Sequence, residues 1–385
     1  MQSYYYSRIT ILGGLILTCG LTHAACAEIV LDKEKQFSVY GDLRLRMESD
    51  FDGETATGAS VNDRTRARIR ARTGLKYTPN DWLTFDTRVR TGSNASHQSP
   101  HITIYDFNDN PTGDADINLD KWYVGAKKDN WWAWAGRNSF PFWSQDEIFW
   151  DEDATLLGAA AGASHVFEGI GTVSTSAGYF ALPVGMRAYS GHLAAGELVY
   201  SKKIDDVTYS LGGDLFNFQP NRGDSDASKL LNGNGSRKYT IATLNAKSEW
   251  RMRDIPLTAE MDLLHNLQDY SATDSDAFTA QNHNQRDGYV FSFKAGDTDK
   301  QGHWLAAYYY AHIETFAVNS SYAQDEWVRW GSGGETRSSN MQGHQFNVGY
   351  AISDNLDVLA RLYLAEAITT QERNDRFRVD LNYKF

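Results

Sequence analysis

The chain predicts an all-β fold, a transmembrane antiparallel up-and-down β-barrel, on three observations. Charged and apolar residues alternate over strand-length segments, no later stretch approaches eighteen uninterrupted apolar residues, and the connections alternate between short and long. High aromatic content, scarce proline and plentiful glycine agree with many strands rather than a helical core.

Residues 1–27 read as a secretory signal cleaved before Glu28. They carry one charge, Arg8, then the apolar run "ITILGGLILTCGLT", then the small residues Ala25-Cys26-Ala27. A lipid anchor through Cys26 is the weaker reading, because His23 stands where an aliphatic residue is needed. Residues 28–385 then form one domain. Both cysteines, Cys19 and Cys26, lie in the signal, so the mature chain has no disulfide or thiol chemistry. Loss of Arg8 takes the formal charge from -12 to -13, which argues against nucleic acid as a partner.

Period-two patterning marks sixteen strands, with eighteen as the alternative count. They span 37–48, 63–78, 82–92, 117–127, 130–137, 156–166, 171–182, 188–201, 206–217, 238–250, 256–267, 288–297, 302–314, 341–352, 356–368 and 375–385. Short turns such as "PND" at 79, "KD" at 128 and "SDN" at 353 alternate with longer polar segments at 93–116, 138–155, 218–237, 268–287 and 315–340. That rhythm belongs to a barrel with short periplasmic turns and long extracellular loops; a β-sandwich would not sort its connections by length.

The second strand, "RTRARIRART", settles which face is wet. Arg64, Arg66, Arg68, Arg70 and Arg72 share one face and Thr65, Ala67, Ile69, Ala71 and Thr73 the other. An arginine facing lipid costs about 2–4 kcal/mol at the midplane, so the five must line a water-filled interior. Neighbouring strands add Arg44, Arg46, Arg88 and Arg90, and the last strand, closing on the first, adds Arg376 and Arg378. These eleven are the expected pore lining, a cationic ladder that concentrates anions, with Asp42, Glu48 and Asp86 neutralising part of it. Tyr77, Trp82, Tyr200, Trp250, Trp304 and Tyr350, near strand ends, suit interfacial aromatic belts.

The loop "RNSFPFWSQDEIFWDEDATLL" is too aromatic to stand free in water, so residues 138–155 are expected to fold inward as a constriction or to pack on the rim. Its candidates are Phe140, Phe142, Trp143 and Trp150, whose rings could stack on sugars, and the acids Asp146, Glu147, Asp151, Glu152 and Asp153, which would set a transverse field against the arginines; Phe149 belongs to the same cluster. "DFNDNPTGDADI", 106–117, begins like a calcium loop, but Pro111 replaces the expected glycine and Ile117 the closing glutamate, so an ordinary acidic loop is the better reading. The sequence carries no HExxH, CxxC, phosphate loop or nucleophile elbow, and no catalytic residue, metal or cofactor is expected.

"YGDLRLRME", the arginine-rich second strand, "LDKWYVG", "AGRNSFPFW" and "DEIFWDED", in this order, resemble the outer-membrane porin family related to the alginate exporters of Gram-negative bacteria, most clearly over residues 37–160. The resemblance implies an outer-membrane channel without fixing its solute, and alginate exporters are usually read as eighteen-stranded. The terminal phenylalanine, Phe385, is similar to the signal by which such barrels engage the barrel assembly machinery.

The expected function is therefore a passive porin for small hydrophilic solutes with anion preference, acidic oligosaccharides being one option. Its surroundings would be outer-membrane lipid and lipopolysaccharide, with a homotrimer left open. A phospholipase-like barrel enzyme and a loop-presenting adhesin or receptor are the alternatives.

Overall fold

The structure is a computed structural model that describes residues 28–113, 115–227, 230, 234–328 and 338–385. The signal segment expected at 1–27 lies outside these residues. Among the described residues, sixteen long strands form one closed sheet, each antiparallel to its neighbours. They are β1 (Phe37–Glu54), β2 (Arg64–Asn80), β3 (Leu83–Thr91), β4 (Ile117–Lys128), β5 (Trp131–Asn138), β6 (Leu156–Phe167), β7 (Gly171–Pro183) and β8 (Tyr189–Ile204). The second half comprises β9 (Val207–Gln219), β10 (Tyr239–Met252), β11 (Ile255–Asn266), β12 (Asp287–Gly296), β13 (Trp304–Ile313), β14 (Met341–Ser353), β15 (Leu356–Ala367) and β16 (Arg373–Lys384). No helix among these residues is long and apolar enough to cross a membrane.

Side-chain alternation produces two unlike surfaces. On β1, Leu43, Leu45 and Met47 are exposed on the outside, while Arg46 and Glu48 are 2% and 1% exposed within. The same alternation exposes Phe85 and Val89 on β3, Phe291 and Phe293 on β12, and Phe346, Val348 and Tyr350 on β14. A continuous outer apolar band next to a polar interior is what a hydrocarbon solvent requires of a sheet, and closure leaves no edge with unpaired backbone groups. Trp82, Trp304 and Tyr350 stand exposed near the short-turn end.

Closure is made between the first and last strands. Arg376 lies opposite Asp50, Arg378 opposite Glu48, Asp380 opposite Arg46 and Lys384 opposite Asp42. Gly41 and Phe385 exchange both backbone hydrogen bonds, at 2.7 and 3.0 Å. Across β1 and β2 the register instead sets Arg44 against Arg70 and Arg46 against Arg68, a like-charge arrangement that demands counter-charges from elsewhere.

Strand β3 is only nine residues long, so the upper part of β2 outruns it. A short strand from the following loop, Ile102–Asp106, pairs with Arg66–Ile69 and satisfies that stretch of backbone. Two further pairings, Ile29–Val30 and Ser60–Val61, extend β1 at its two ends.

The core lies inside the barrel. Phe142, Trp150, Phe180, Phe216, Phe218, Tyr239, Phe316 and Tyr322 form one buried aromatic cluster, contributed by the inner faces of β7, β9 and β10, by loop 139–155 and by residues 314–328 of the loop after β13. Loop residues thus occupy the lumen beside polar wall residues.

Candidate functional site

The arginine-bearing strands form one wall. Arg46 grips Asp380 with two bonds, Nε–Oδ1 at 2.7 Å and Nη2–Oδ2 at 3.2 Å, and Arg361 reaches the same carboxylate at 3.1 Å. Arg376 bonds Asp50 at 2.6 Å, Arg66 bonds Glu48 at 2.5 Å and Arg68 bonds it at 3.2 Å. Arg88 is bidentate on Asp120, and Arg64, at the rim, pairs with Asp106 at 2.7 Å. Guanidinium matches carboxylate geometry, so these are charge-assisted pairs rather than loose proximities.

Loops complete the wall. Asp153 of loop 139–155 bonds Arg72 at 2.6 Å and Arg70 at 3.4 Å, while Asp42 takes both arginines from the strand side. Burial pushes the Asp153 carboxyl up, but Arg70, Arg72 and Arg90 outweigh it and hold it well below the usual carboxylate range. Glu326 of loop 314–340 joins Arg378 and lies 3.1 Å from Arg46; here too burial raises, and Arg378, Arg46 and Arg361 pull the carboxyl well below normal. Glu326 was not visible in the sequence as a site residue, since nothing local signals that its loop folds back onto β16.

The eleven predicted lining arginines are therefore not equivalent. Arg46, Arg70, Arg88, Arg90, Arg376 and Arg378 are buried among partners, whereas Arg44, Arg64, Arg66, Arg68 and Arg72 keep some exposure. Arg90 spends its donors on the carbonyls of Ser96, Gln98 and Asp153, so it pins two loops rather than presenting charge. Arg44 donates to Asn382 at 2.7 Å.

The predicted constriction residues divide three ways. Glu152 and Asp153 meet the arginine wall, Glu152 lying 3.5 Å from Arg70 with its side chain half exposed. Glu147, half-buried, and Asp151, buried, line a polar cleft with Asp325, Glu326, Arg44, Arg361 and Arg378. Burial first, and then the neighbouring carboxylates, pushes both well above the usual range. Asp146 turns to the opposite wall, towards Asp262. That wall, on β8–β12, is acidic: Glu197, Asp214, Glu260 and Asp262 point inward, and among the described residues only Glu260 of these four has an ion-pair partner, Lys294 at 2.6 Å.

The loop is tied to this second wall by Gln145, which donates to the Met261 carbonyl at 3.1 Å and to Asp262, and by the Trp143 amide, which donates to Glu197. Glycine at 212 makes room for Trp143, because a Cβ there would stand 2.7 Å from its ring. The aromatic members serve packing. Trp150 stacks between Phe140 (4.7 Å) and Tyr322 (5.4 Å), and Phe142 is 1% exposed against Phe180 and Phe216. Phe142 and Trp150 have no face left for a sugar ring, contrary to the sequence expectation; Trp143 remains half-buried.

In the 106–117 segment, of which residue 114 lies outside the described residues, Asp106 is already engaged. Asp106 is taken by the Asn108 amide, the Asn110 side chain and Arg64, and no group of acids or histidines suited to a metal occurs among the described residues.

Comparison with known proteins matches the family model described as "Putative porin" over residues 49–190 and 217–385. The chain belongs to this porin family. Its barrel is an outer-membrane barrel, and the family is one of porin channels. OprB of Pseudomonas putida is similar at 10% identity with a TM-score of 0.59, covering 91% of this chain and 95% of that one. OmpF of Salmonella typhi, solved in complex with daunomycin, is similar at 12% identity with a TM-score of 0.53, covering 93% and 100%. Identities this low speak to fold alone. No curated protein matches the sequence.

Proposed function

We propose that this porin is a passive diffusion channel with a preference for small anionic solutes, driven by the solute's own gradient. The observation that carries the reading is the charge balance of the arginine wall. Arg361 and the eleven predicted arginines make twelve guanidinium groups, set, among the described residues, against nine carboxylates within ion-pair distance: Asp42, Glu48, Asp50, Asp106, Asp120, Glu152, Asp153, Glu326 and Asp380. Three further carboxyl groups, Glu147, Asp151 and Asp325, line the cleft beside these arginines, and burial and the neighbouring carboxylates push Glu147 and Asp151 towards their neutral forms. A residual positive field in a polar passage raises the local anion concentration and offers successive weak sites.

In this reading loop 139–155 is the constriction, with Glu152 and Asp153 limiting the field of the wall they face. Carboxylates, phosphates and sulfates are the solute class, and acidic oligosaccharides would have to be held by charge rather than by ring stacking. The kinship with alginate exporters and assembly as a homotrimer belong to the same proposal.

The test is the reversal potential across a KCl gradient in a planar bilayer, for wild type and for Arg66→Gln/Arg68→Gln. Chloride preference that falls by half or more in the variant supports the proposal. Cation preference in the wild type would mean that the acidic wall governs permeation, and a silent bilayer would mean a plugged barrel.

A further inference from the structure

Loops ordinarily run over the surface of a protein, where water satisfies their backbone. In the loop after β13 the reverse holds. From 315 to 328 every residue except the half-buried Glu326 is buried, and the stretch is neither helix nor strand. It also crosses the lumen. On one side Tyr322 stacks on Phe218 of β9, with ring centres 5.8 Å apart. On the other, Glu326 pairs with Arg46 of β1 and Arg378 of β16 and accepts from Tyr363 of β15 at 3.1 Å. Strands β9 and β1 are eight apart in a ring of sixteen, so they face each other across the barrel. We propose that residues 319–328 form a strap that bars the lumen and withdraws to let solute pass, the observed arrangement being the closed member of a two-state channel.

The way the strap is seated fits an element that can leave. No strand ladder holds it. The His97 ring donates to the Ser321 carbonyl at 2.6 Å, the Gln98 amide to the Ala323 carbonyl at 2.5 Å, and the Ser321 hydroxyl to the Leu230 carbonyl at 3.0 Å. Two backbone bonds join it to loop 139–155, from the Asp151 amide to Tyr322 at 2.8 Å and from the Gln324 amide to Glu147 at 3.0 Å. Breaking all of these leaves the hydrogen bonds of the barrel sheet intact.

The seat is also incomplete. Tyr322 is 0% exposed, and neither its Oη nor Asn319 Nδ2 has a hydrogen-bond partner among the described residues. A buried polar atom without a partner is costly, and withdrawal would hydrate both. Along the joint with loop 139–155 like charges meet: Asp325 lies near Asp151, and Glu326 near Glu147. The strap is thus gripped at its arginine end and opposed along its flank. Two packings of such an element can differ by little free energy, which is the condition for a switch.

The strap acts whatever the sign of the pore's charge preference. Residues 28–385 contain no cysteine, so a single introduced thiol reports on its own position. The test is Ala323→Cys, with Ser321→Cys as the second strap variant, in a planar bilayer exposed to the neutral reagent hydroxyethyl methanethiosulfonate. Ala160→Cys, buried on the inner face of β6 opposite Trp134, is the control for breathing of the barrel. Modification of a strap thiol at least tenfold faster than of the control, with conductance rising at least twofold as the added group blocks reseating, supports the proposal. Strap thiols that react no faster than the control overturn it, whether the channel conducts or stays silent. So does rapid modification that leaves conductance unchanged. A wild-type channel without anion preference would refute the proposed selectivity alone, because the labelling rates carry no information on charge.

Discussion

The two walls of the lumen hold charge in opposite ways. On β1–β3 and β15–β16 nearly every arginine is locked to a carboxylate, often by two bonds, and loop acids are brought in to finish the pairing. On β8–β12 Glu260 pairs with Lys294, while Glu197, Asp214 and Asp262 sit against other carboxyl groups and accept from amides and hydroxyls. The first arrangement is rigid and expensive to disturb. The second leaves carboxyl groups whose charge can be neutralised by a proton or by a ligand. Similar polarity on the inside of one barrel therefore serves structure on one side and leaves responsiveness on the other.

Removing one partner from the paired wall is the most damaging change. Asp380→Asn strips the carboxylate shared by Arg46, Arg361 and Arg378 and should cost about 3–5 kcal/mol, read as the midpoint of urea unfolding in lipid or detergent. A loss below about 1 kcal/mol would mean that the wall is wetter and looser than its geometry indicates.

Next is the packing that holds both loops in place. Trp150→Ala removes the ring stacked on Phe140 and Tyr322 and should cost about 3 kcal/mol, with faster proteolysis within 139–155 or 314–340 as the local readout. An unchanged cleavage pattern would show that the loops are held by Arg90, Asp153 and Glu326 instead.

The corresponding change on the acidic wall should be mild. Asp214→Asn relieves repulsion with Glu197 and should alter the urea midpoint by less than about 1 kcal/mol in either direction. A loss as large as that of Asp380→Asn would erase the distinction between the walls.

The smallest effect is that of pH. Glu147 and Asp151 hold their protons above the usual carboxylate range, so the folded protein binds more protons than the unfolded chain there. Their contribution to stability is complete below the ordinary carboxylate pKa and is lost as pH rises through the raised values. Over the same window each adds a negative charge beside the arginines, so chloride preference should decline with rising pH. Asp153 and Glu326 have lowered values and contribute the reverse: their stabilisation persists on acidification and fails only when pH falls below the usual carboxylate range. Reversal potentials and urea midpoints along a pH series check both signs.

Much of the barrel was legible because a lipid-facing strand has a strict alternation. The segments read at 82–92, 156–166 and 341–352 are Leu83–Thr91, Leu156–Phe167 and Met341–Ser353. Strand β1 runs on to Glu54, six residues beyond the expected end, because residues 49–51 pair with Asp375–Phe377 and Gly53–Glu54 with Ser60–Val61, in a mostly polar stretch that leaves little hydrophobic mark. The wet face of β2 was equally plain, with Asp42 and Glu48 recognisable as neutralisers. What the pattern could not carry is the destination of the loops. Glu326 meets Arg46 across 280 residues and Gln98 meets Ala323 across 225, contacts decided by the shape of the finished lumen and not by local propensity. For the same reason the aromatics of 138–155 read as free for ligands, when most are committed to packing on the wall.

The seam between β16 and β1 works as a combination lock for ring closure. In the observed register Arg376, Arg378, Asp380 and Lys384 each face an opposite charge. Slippage by one residue would turn the basic residues of β16 outward into lipid. Slippage by two in one direction would set Arg378 against Arg46, and in the other Asp380 against Glu48 and Lys384 against Arg44. Of these alignments, only the observed one gives all four inward charges an opposite partner when the two ends of the chain finally meet.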